Sequence, residues 1–229
     1  MVALVTGASK GIGREVARQL AESGETVIVS ARDPGAARAA ADDLGARALA
    51  LDVTDAASVQ AAAAALDELD VLVNNAAAFV DWTEMASAAD LETARAVIDT
   101  NLLGSWRVTQ AMLPLLRRSA HPRIVMVSSG GGSHADEQFG LTRRGGAAAT
   151  YGISKAAVNA LTATLAAELA DTPILVNAVC PGLTATWPGA EQMGARPVSE
   201  GAASVVWAAT LPDDGPRGGF FRDGEPLGW

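Results

Sequence analysis

The chain opens on Val2-Ala3-Leu4-Val5, an apolar run of strand length that ends in Thr6-Gly7-Ala8-Ser9-Lys10-Gly11-Ile12-Gly13. Few folds place three glycines between a buried strand and a helix. Glycine takes the left-handed backbone such a turn needs, and without a Cβ it lets backbone N–H groups close on a pyrophosphate at the helix N-terminus. The glycine spacing is three residues and then one, which differs from the commoner dinucleotide fingerprint. Strand, turn and helix nevertheless come in the order a phosphate cradle requires. Gly7, Ser9, Lys10, Gly11, Ile12 and Gly13 are therefore candidate cofactor contacts.

The rest of the chain repeats the alternation. Hydrophobic periodicity predicts strands over 26–30, 46–51, 70–73, 123–127 and 174–179, with a short one near 219–222. Helices are expected over 14–23, 35–44, 55–66 and 151–170, and from Ser199 to Thr210. Ser87-Ala88-Ala89-Asp90 reads as a capping box that opens a long helix to about Arg118. Strand–helix alternation of this kind gives an open, doubly wound parallel α/β sheet of about seven strands with helices on both faces. No repeat or linker divides residues 1–229, so one domain is expected.

Several polar residues fall where this architecture puts chemistry. In dinucleotide-binding sheets an acid ending the second strand holds the ribose 2′-hydroxyl. Here Ser30 and Ala31 leave that position without a carboxylate, and Arg32 follows. Arg32 with Lys10 suits a 2′-phosphate instead. The small-residue run Asn74-Asn75-Ala76-Ala77-Ala78 after a strand lets backbone approach a flat ligand. Asn101 lies in mid-helix, where asparagine is unfavourable, and this points either to an exposed side chain or to a local distortion serving a site. Tyr151 is the one tyrosine in the chain, and Lys155 follows it by one helical turn. An ammonium on the same helix face stabilises a phenolate and makes the pair a candidate proton donor and acceptor.

Composition narrows the function further. The net charge is −9 and no basic run offsets it, which disfavours nucleic acid as a partner. Cys180 is the single cysteine, so no internal disulfide forms, as suits a reducing compartment. His121 and His134 have no second ligand at metal spacing, and no metal site is read. No signal sequence or membrane-spanning run is apparent, so a cytoplasmic location away from membranes is expected.

Together these motifs resemble the short-chain dehydrogenases/reductases over essentially the whole length. The turn Thr6–Gly13 is similar to the family's glycine motif, and Asp52, followed by Val53, to its adenine-contacting acid. Asn74-Asn75-Ala76 resembles the family's N-N-A-G, with Ala77 in place of the glycine. Asn101, Ser129, Tyr151 and Lys155 fall where the family keeps its catalytic tetrad. Pro181 and Gly182, with Thr184 and Thr186, resemble the segment beside the nicotinamide. The pair Lys10 with Arg32, and the ending from Leu211 to Trp229, are similar to the carbonyl reductase branch. The loop before Tyr151 departs from it, since Ser129 and Tyr151 stand 22 positions apart, far fewer than in animal carbonyl reductases.

The resemblance implies hydride transfer between NADP(H) and a small ketone or aldehyde. Ser129 would hydrogen-bond the carbonyl oxygen and Tyr151 would give the proton. Lys155 would lower the Tyr151 pKa and hold the nicotinamide ribose, and Asn101 would order a water. Phe139, Leu183, Trp187 and Met193 are the expected substrate pocket, and Leu183 to Pro197 an expected lid. Alternatives with the same residues are a ketoreductase of carrier-protein thioesters, an alcohol dehydrogenase or epimerase, and a dinucleotide-binding regulator. The chain would act alone or as a homo-oligomer, dimeric or tetrameric.

Overall fold

The computed structural model describes residues 1–229. Eight strands form one sheet: β1 (Val2–Val5), β2 (Thr26–Ala31), β3 (Arg47–Ala50), β4 (Val71–Asn74), β5 (Arg123–Val127), β6 (Leu175–Val179), β7 (Phe220–Arg222) and β8 (Glu225–Pro226). Their order across the sheet is β3-β2-β1-β4-β5-β6-β7-β8. All pairs are parallel except β7 with β8. Seven helices cover the faces: α1 (Gly11–Glu22), α2 (Pro34–Leu44), α3 (Ala56–Ala64), α4 (Leu91–Ile98), α5 (Ser105–Leu116), α6 (Ala149–Glu168) and α7 (Val198–Ala209).

Strand alternation builds two apolar layers. Leu4, Ile28, Leu72, Ile124, Met126 and Val176 point to one side and pack against Val59, Met112, Val158 and Leu161 of α3, α5 and α6. Ala3, Val5, Val27, Val29, Val73, Val125 and Val179 point to the other, against Val16, Leu20, Ala40 and Val205 of α1, α2 and α7. Large residues fill the first face and small ones the second, so α1 and α7 sit close to the sheet. Registers such as Val5 with Val73 and Val127 with Val179 bring the carboxyl ends of the central strands level. The chain leaves β1 towards β2 on one side and has β4 on the other. This reversal opens a crevice at the carboxyl edge between β1 and β4, where sheets of this kind bind ligands.

Three departures from the sequence reading have physical causes. The helix expected from Ser87 begins at Leu91: Asp90 is the N-cap, its carboxylate accepting from the Glu92 and Thr93 N–H groups at 3.2 and 3.3 Å. It is also not continuous, because Asp99–Gly104 is a π-helical segment between α4 and α5 with Asn101 inside it. The distortion reading of Asn101 therefore holds. Third, Asp223 and Gly224 both take positive φ, 56° and 80°, and turn β7 into β8, a strand the sequence reading lacked. Asp-Gly is a strong signal for such a hairpin.

Leu4 is fully buried at the centre of β1. Leu4→Ala should cost about 2–5 kcal/mol, measured by urea unfolding as a lower midpoint at unchanged slope. A loss under about 1 kcal/mol would show that this layer is not packed as described.

Candidate active site

The glycine turn forms one wall of a cleft of about 680 Å³, within the size range of small-ligand sites. Gly7 takes a φ of +62°, and a Cβ on Gly13 would lie 2.3 Å from Asn75 Nδ2 and 2.8 Å from the Gly7 carbonyl oxygen. No side chain larger than glycine fits there. Asn75 Nδ2 donates to the Thr6 and Gly7 carbonyls at 2.8 and 3.2 Å, and the Asn75 and Ala76 N–H groups both donate to Thr6 Oγ1. These bonds lace the turn to the end of β4. The N-cap of α1, Lys10, supplies no capping side chain, and the first turn holds no acidic residue. Its free N–H groups and the positive end of the helix dipole are therefore left for an anion. The cradle thus fits a dinucleotide pyrophosphate.

Lys10, Arg32, Asp52, Val53, Asn75, Ala76, Ala77 and Thr186 all line this cleft, as do Ser9, Gly11 and Ile12 of the turn. The acid nearest Arg32 in sequence, Asp33, is spent as the N-cap of α2, accepting from the Ala36 N–H at 2.7 Å. Burial pushes the Asp52 carboxyl up, but hydrogen bonds from the Thr54 hydroxyl and N–H, with the charges of Arg32 and Arg107, outweigh it and hold the carboxyl below its ordinary value.

Ser129, Tyr151 and Lys155 gather at the carboxyl end of β5. Ser129 Oγ accepts from the Gly131 N–H at 3.0 Å, which caps a short 3₁₀ turn and leaves the hydroxyl proton free to donate. Lys155 is buried, and its Nζ donates to the Val127 carbonyl at 2.8 Å and lies 5.6 Å from the centre of the Tyr151 ring. Burial brings the ammonium from an ordinary 10.5 down to about 8. Burial also drives the Tyr151 phenol well above its ordinary value, and a hydrogen bond with Ser129 only partly opposes this. Sequence reasoning expected Lys155 to lower the phenol's pKa. In the folded chain desolvation is the largest influence and the shift is upward.

Asn101 commits its side-chain amide to partners within the chain. Its Oδ1 accepts from the Ala78 N–H at 2.7 Å, while its Nδ2 donates to the Ala78 carbonyl at 3.0 Å and to Ser154 Oγ at 2.9 Å. The amide clamps the loop after β4 to α6, and the π-helical segment turns it there.

The expected substrate residues divide. Trp187 lines the cleft. Phe139 flanks a small recess next to Tyr151, beneath the Arg144 guanidinium. Met193 is 68% exposed, and neither it nor Leu183 lines the cleft. Thr184 is buried, and its hydroxyl donates to the Pro181 and Gly182 carbonyls, so it shapes that turn. The base of the 183–197 loop is tied by a bridge between Thr184 and Arg196, whose guanidinium pairs with Asp223. Three residues at the site escaped the sequence reading: Phe79, Trp82 and Glu84. Phe79 stacks on Tyr151 with ring centres 5.1 Å apart, and Trp82 meets Tyr151 edge-on at 5.8 Å. Two aromatics directly after the small-residue run 74–78 were the available signal.

Residues 1–193 match the short chain dehydrogenase family. The chain is 38% identical over 218 residues to oxidoreductase UcpA of Salmonella typhimurium, covering 89% of this chain and 76% of that protein. It is 37% identical over 191 residues to the 3-oxoacyl-[acyl-carrier-protein] reductase FabG of Escherichia coli, covering 81% and 74%. Among solved structures, the NADPH-bound carbonyl reductase from chicken fatty liver superposes with a TM-score of 0.84 at 27% identity, covering 100% of this chain and 98% of that one.

The Lys155 ammonium yields a stability prediction. A lysine held at about 8 when folded and 10.5 when unfolded binds fewer protons in the native state between those values. The destabilisation is complete below about pH 8 and fades as pH rises towards 10.5. Lys155→Met should therefore raise stability by on the order of 2–3 kcal/mol at neutral pH, with the gap to wild type narrowing from pH 8 to 9.5. Denaturant melts across that range test it, and a gap that is constant or reversed would contradict the buried-cation account.

Proposed function

The chain belongs to the short-chain dehydrogenases, a family of oxidoreductases, and on that footing we propose that it uses NADPH to reduce a ketone or aldehyde to an alcohol. The observation that carries this reading is the gathering of Ser129, Tyr151 and Lys155 at the carboxyl end of β5, next to a cleft that holds the phosphate cradle and whose rings Phe79 and Trp82 touch Tyr151. The bound nicotinamide would supply the hydride to the carbonyl carbon.

The residues of the chain account for the remainder. The Ser129 hydroxyl, polarised by the Gly131 N–H on its oxygen, donates to the carbonyl oxygen as negative charge grows there. Tyr151 would pass its phenolic proton to that oxygen, which together with the hydride the nicotinamide would supply gives the alcohol. The phenolate left on Tyr151 is stabilised by the Lys155 ammonium, which the Val127 carbonyl holds in place. In this reading Lys155 also holds the nicotinamide ribose, and Asn101 positions the loop against α6.

Three observations support NADPH over NADH. Arg32 and Lys10 line the cleft and make no ion pair within the chain. Asp33 is committed to α2, so no carboxylate waits for a ribose 2′-hydroxyl. The chicken carbonyl reductase, solved with NADPH bound, has the same fold. A second reading, reduction of carrier-bound thioesters, draws support from the similarity to FabG. Against it stands the net charge of −9, with Arg143 and Arg144 the only paired cations near the site. No helix is long and apolar enough to cross a membrane. Exposed Leu103, Trp106 and Ile153 on packed neighbouring segments accord with a homo-oligomer.

Tyr151→Phe should lower turnover by roughly 10²–10⁴-fold while NADPH binding, followed by fluorescence, stays close to wild type. Near-normal turnover in this variant would assign the proton to another group. Arg32→Asp removes one charge-assisted contact of about 1.5–3 kcal/mol and puts a carboxylate beside the 2′-position. It should reverse the NADPH preference in binding titrations, and a wild type that binds NADH equally well would remove the basis for it.

A further inference from the structure

The chain has only ten aromatic side chains, four Phe, five Trp and one Tyr, and four of them, Tyr151 included, form one cluster. Phe79 stacks on Tyr151 at 5.1 Å with ring planes 20° apart, Trp82 packs edge-on at 71°, and Trp82 faces Trp187 at 6.0 Å and 32°. These rings come from three separate places: the loop after β4, helix α6 and the loop after β6. Nor are they core packing, since Phe79 is 57% and Trp82 42% exposed. Uncovered rings gathered beside a reactive group mark a ligand surface.

The loop carrying Phe79 and Trp82 is held to the catalytic helix itself. Asp81 Oδ1 accepts from the Thr83 N–H and hydroxyl, which sets the turn. The Glu84 carboxylate accepts from the Thr150 N–H at 2.8 Å and the Thr150 hydroxyl at 3.0 Å, and the Glu84 carbonyl accepts from the Ala149 N–H at 3.3 Å. Ala148, the N-cap of α6, has no side-chain cap to offer, so Glu84 caps this helix from 66 residues away. The rings are thereby fixed relative to Tyr151, one residue beyond the capped turn.

We propose that Phe79, Trp82 and Trp187 form an aryl-recognition wall, and that the carbonyl compound reduced here is an aryl ketone or aryl aldehyde. The inference rests on the reductase reading above and adds the substrate class to it. A flat ring between two others needs centres roughly 7 Å apart, twice the carbon–carbon contact distance. Trp82 and Trp187, at 6.0 Å and tilted by 32°, need to part by about 1 Å and align their planes to admit one. A puckered saturated ring is thicker and requires a larger opening. A ring bonded directly to the carbonyl is also coplanar with it and electron-poor, which favours stacking on the electron-rich faces of indole. Glu84 is a positioning residue in this arrangement.

The test compares kcat/KM for phenyl methyl ketone and cyclohexyl methyl ketone at saturating NADPH. Intrinsic reactivity cancels when the aryl-to-cyclohexyl ratio is compared between wild type and variants. The wild-type ratio should exceed that of Trp82→Leu by about tenfold, mostly through KM. Glu84→Ala should lower the ratio likewise, and Glu84→Gln, which keeps an acceptor for Thr150, should restore most of it. An unchanged ratio in Trp82→Leu, with both ketones reduced, overturns the aryl wall and leaves the reductase reading standing. If neither ketone is reduced, calorimetric titration of the two ketones into NADP⁺-loaded protein decides. Phenyl-selective binding that disappears in Trp82→Leu upholds the wall while the reductase reading fails, and equal binding of the two ketones overturns the wall.

Discussion

A lysine ammonium held out of water by one backbone carbonyl organises this molecule. Lys155 Nζ reaches the Val127 carbonyl at 2.8 Å and so fixes α6 over the end of β5. Other polar contacts along the same seam hold the register. Ser128 Oγ donates to Asn159 Oδ1 at 2.5 Å, Asn159 Nδ2 donates to the Gly132 carbonyl at 3.3 Å, and Asn101 on the adjoining π-helical segment donates to Ser154 Oγ. A seam this polar in a buried place is expensive unless nearly every group finds a partner. The apolar layers on the two faces of the sheet supply the stability that makes it tolerable. Tyr151, one turn before Lys155, takes its place as a consequence.

The seam also explains why two opposite titration shifts coexist. Burial disfavours whichever form carries charge, so it drives the Tyr151 phenol up and the Lys155 ammonium down. A phenol beside an ammonium suits delivery of a proton to a growing alkoxide, because the ammonium stabilises the phenolate left behind. The overall acidity of the chain makes its few cleft cations conspicuous. Lys10 and Arg32 line the cleft, and the first turn of α1 presents its positive end to it.

Much of this was legible in the sequence because it is local. The strand–turn–helix beginning at Val2, the missing acid at Ser30 and Ala31, and the Tyr151–Lys155 spacing each depend on neighbours a few residues away. Asn101 was legible as an anomaly, an asparagine where a helix resists one, and the π-helical segment is its cause. What escaped was long-range or conditional. Glu84 caps α6 across 66 residues, and nothing near Glu84 or Ala148 announces the pairing. Phe79 and Trp82 lie in the loop after β4, whereas the expected pocket residues lie in the loops after β5 and β6. Asp90 displaced Ser87 as a cap because its carboxylate satisfies two N–H groups at once. The direction of the Tyr151 shift depended on burial, which only the folded chain decides.

In the proposed reaction the hydroxyl proton of the product would come from Tyr151 and the hydride from a nicotinamide bound in the cleft. Isotope transfer tests this most directly. NADPH deuterated at the transferred position should be incubated with the protein and a reactive ketone, and the alcohol examined by NMR. The account predicts one deuterium on the carbinol carbon, delivered to a single face, with the hydroxyl proton drawn from solvent through Tyr151. An alcohol carrying no deuterium, or deuterium lost to solvent while NADPH is consumed, would contradict it.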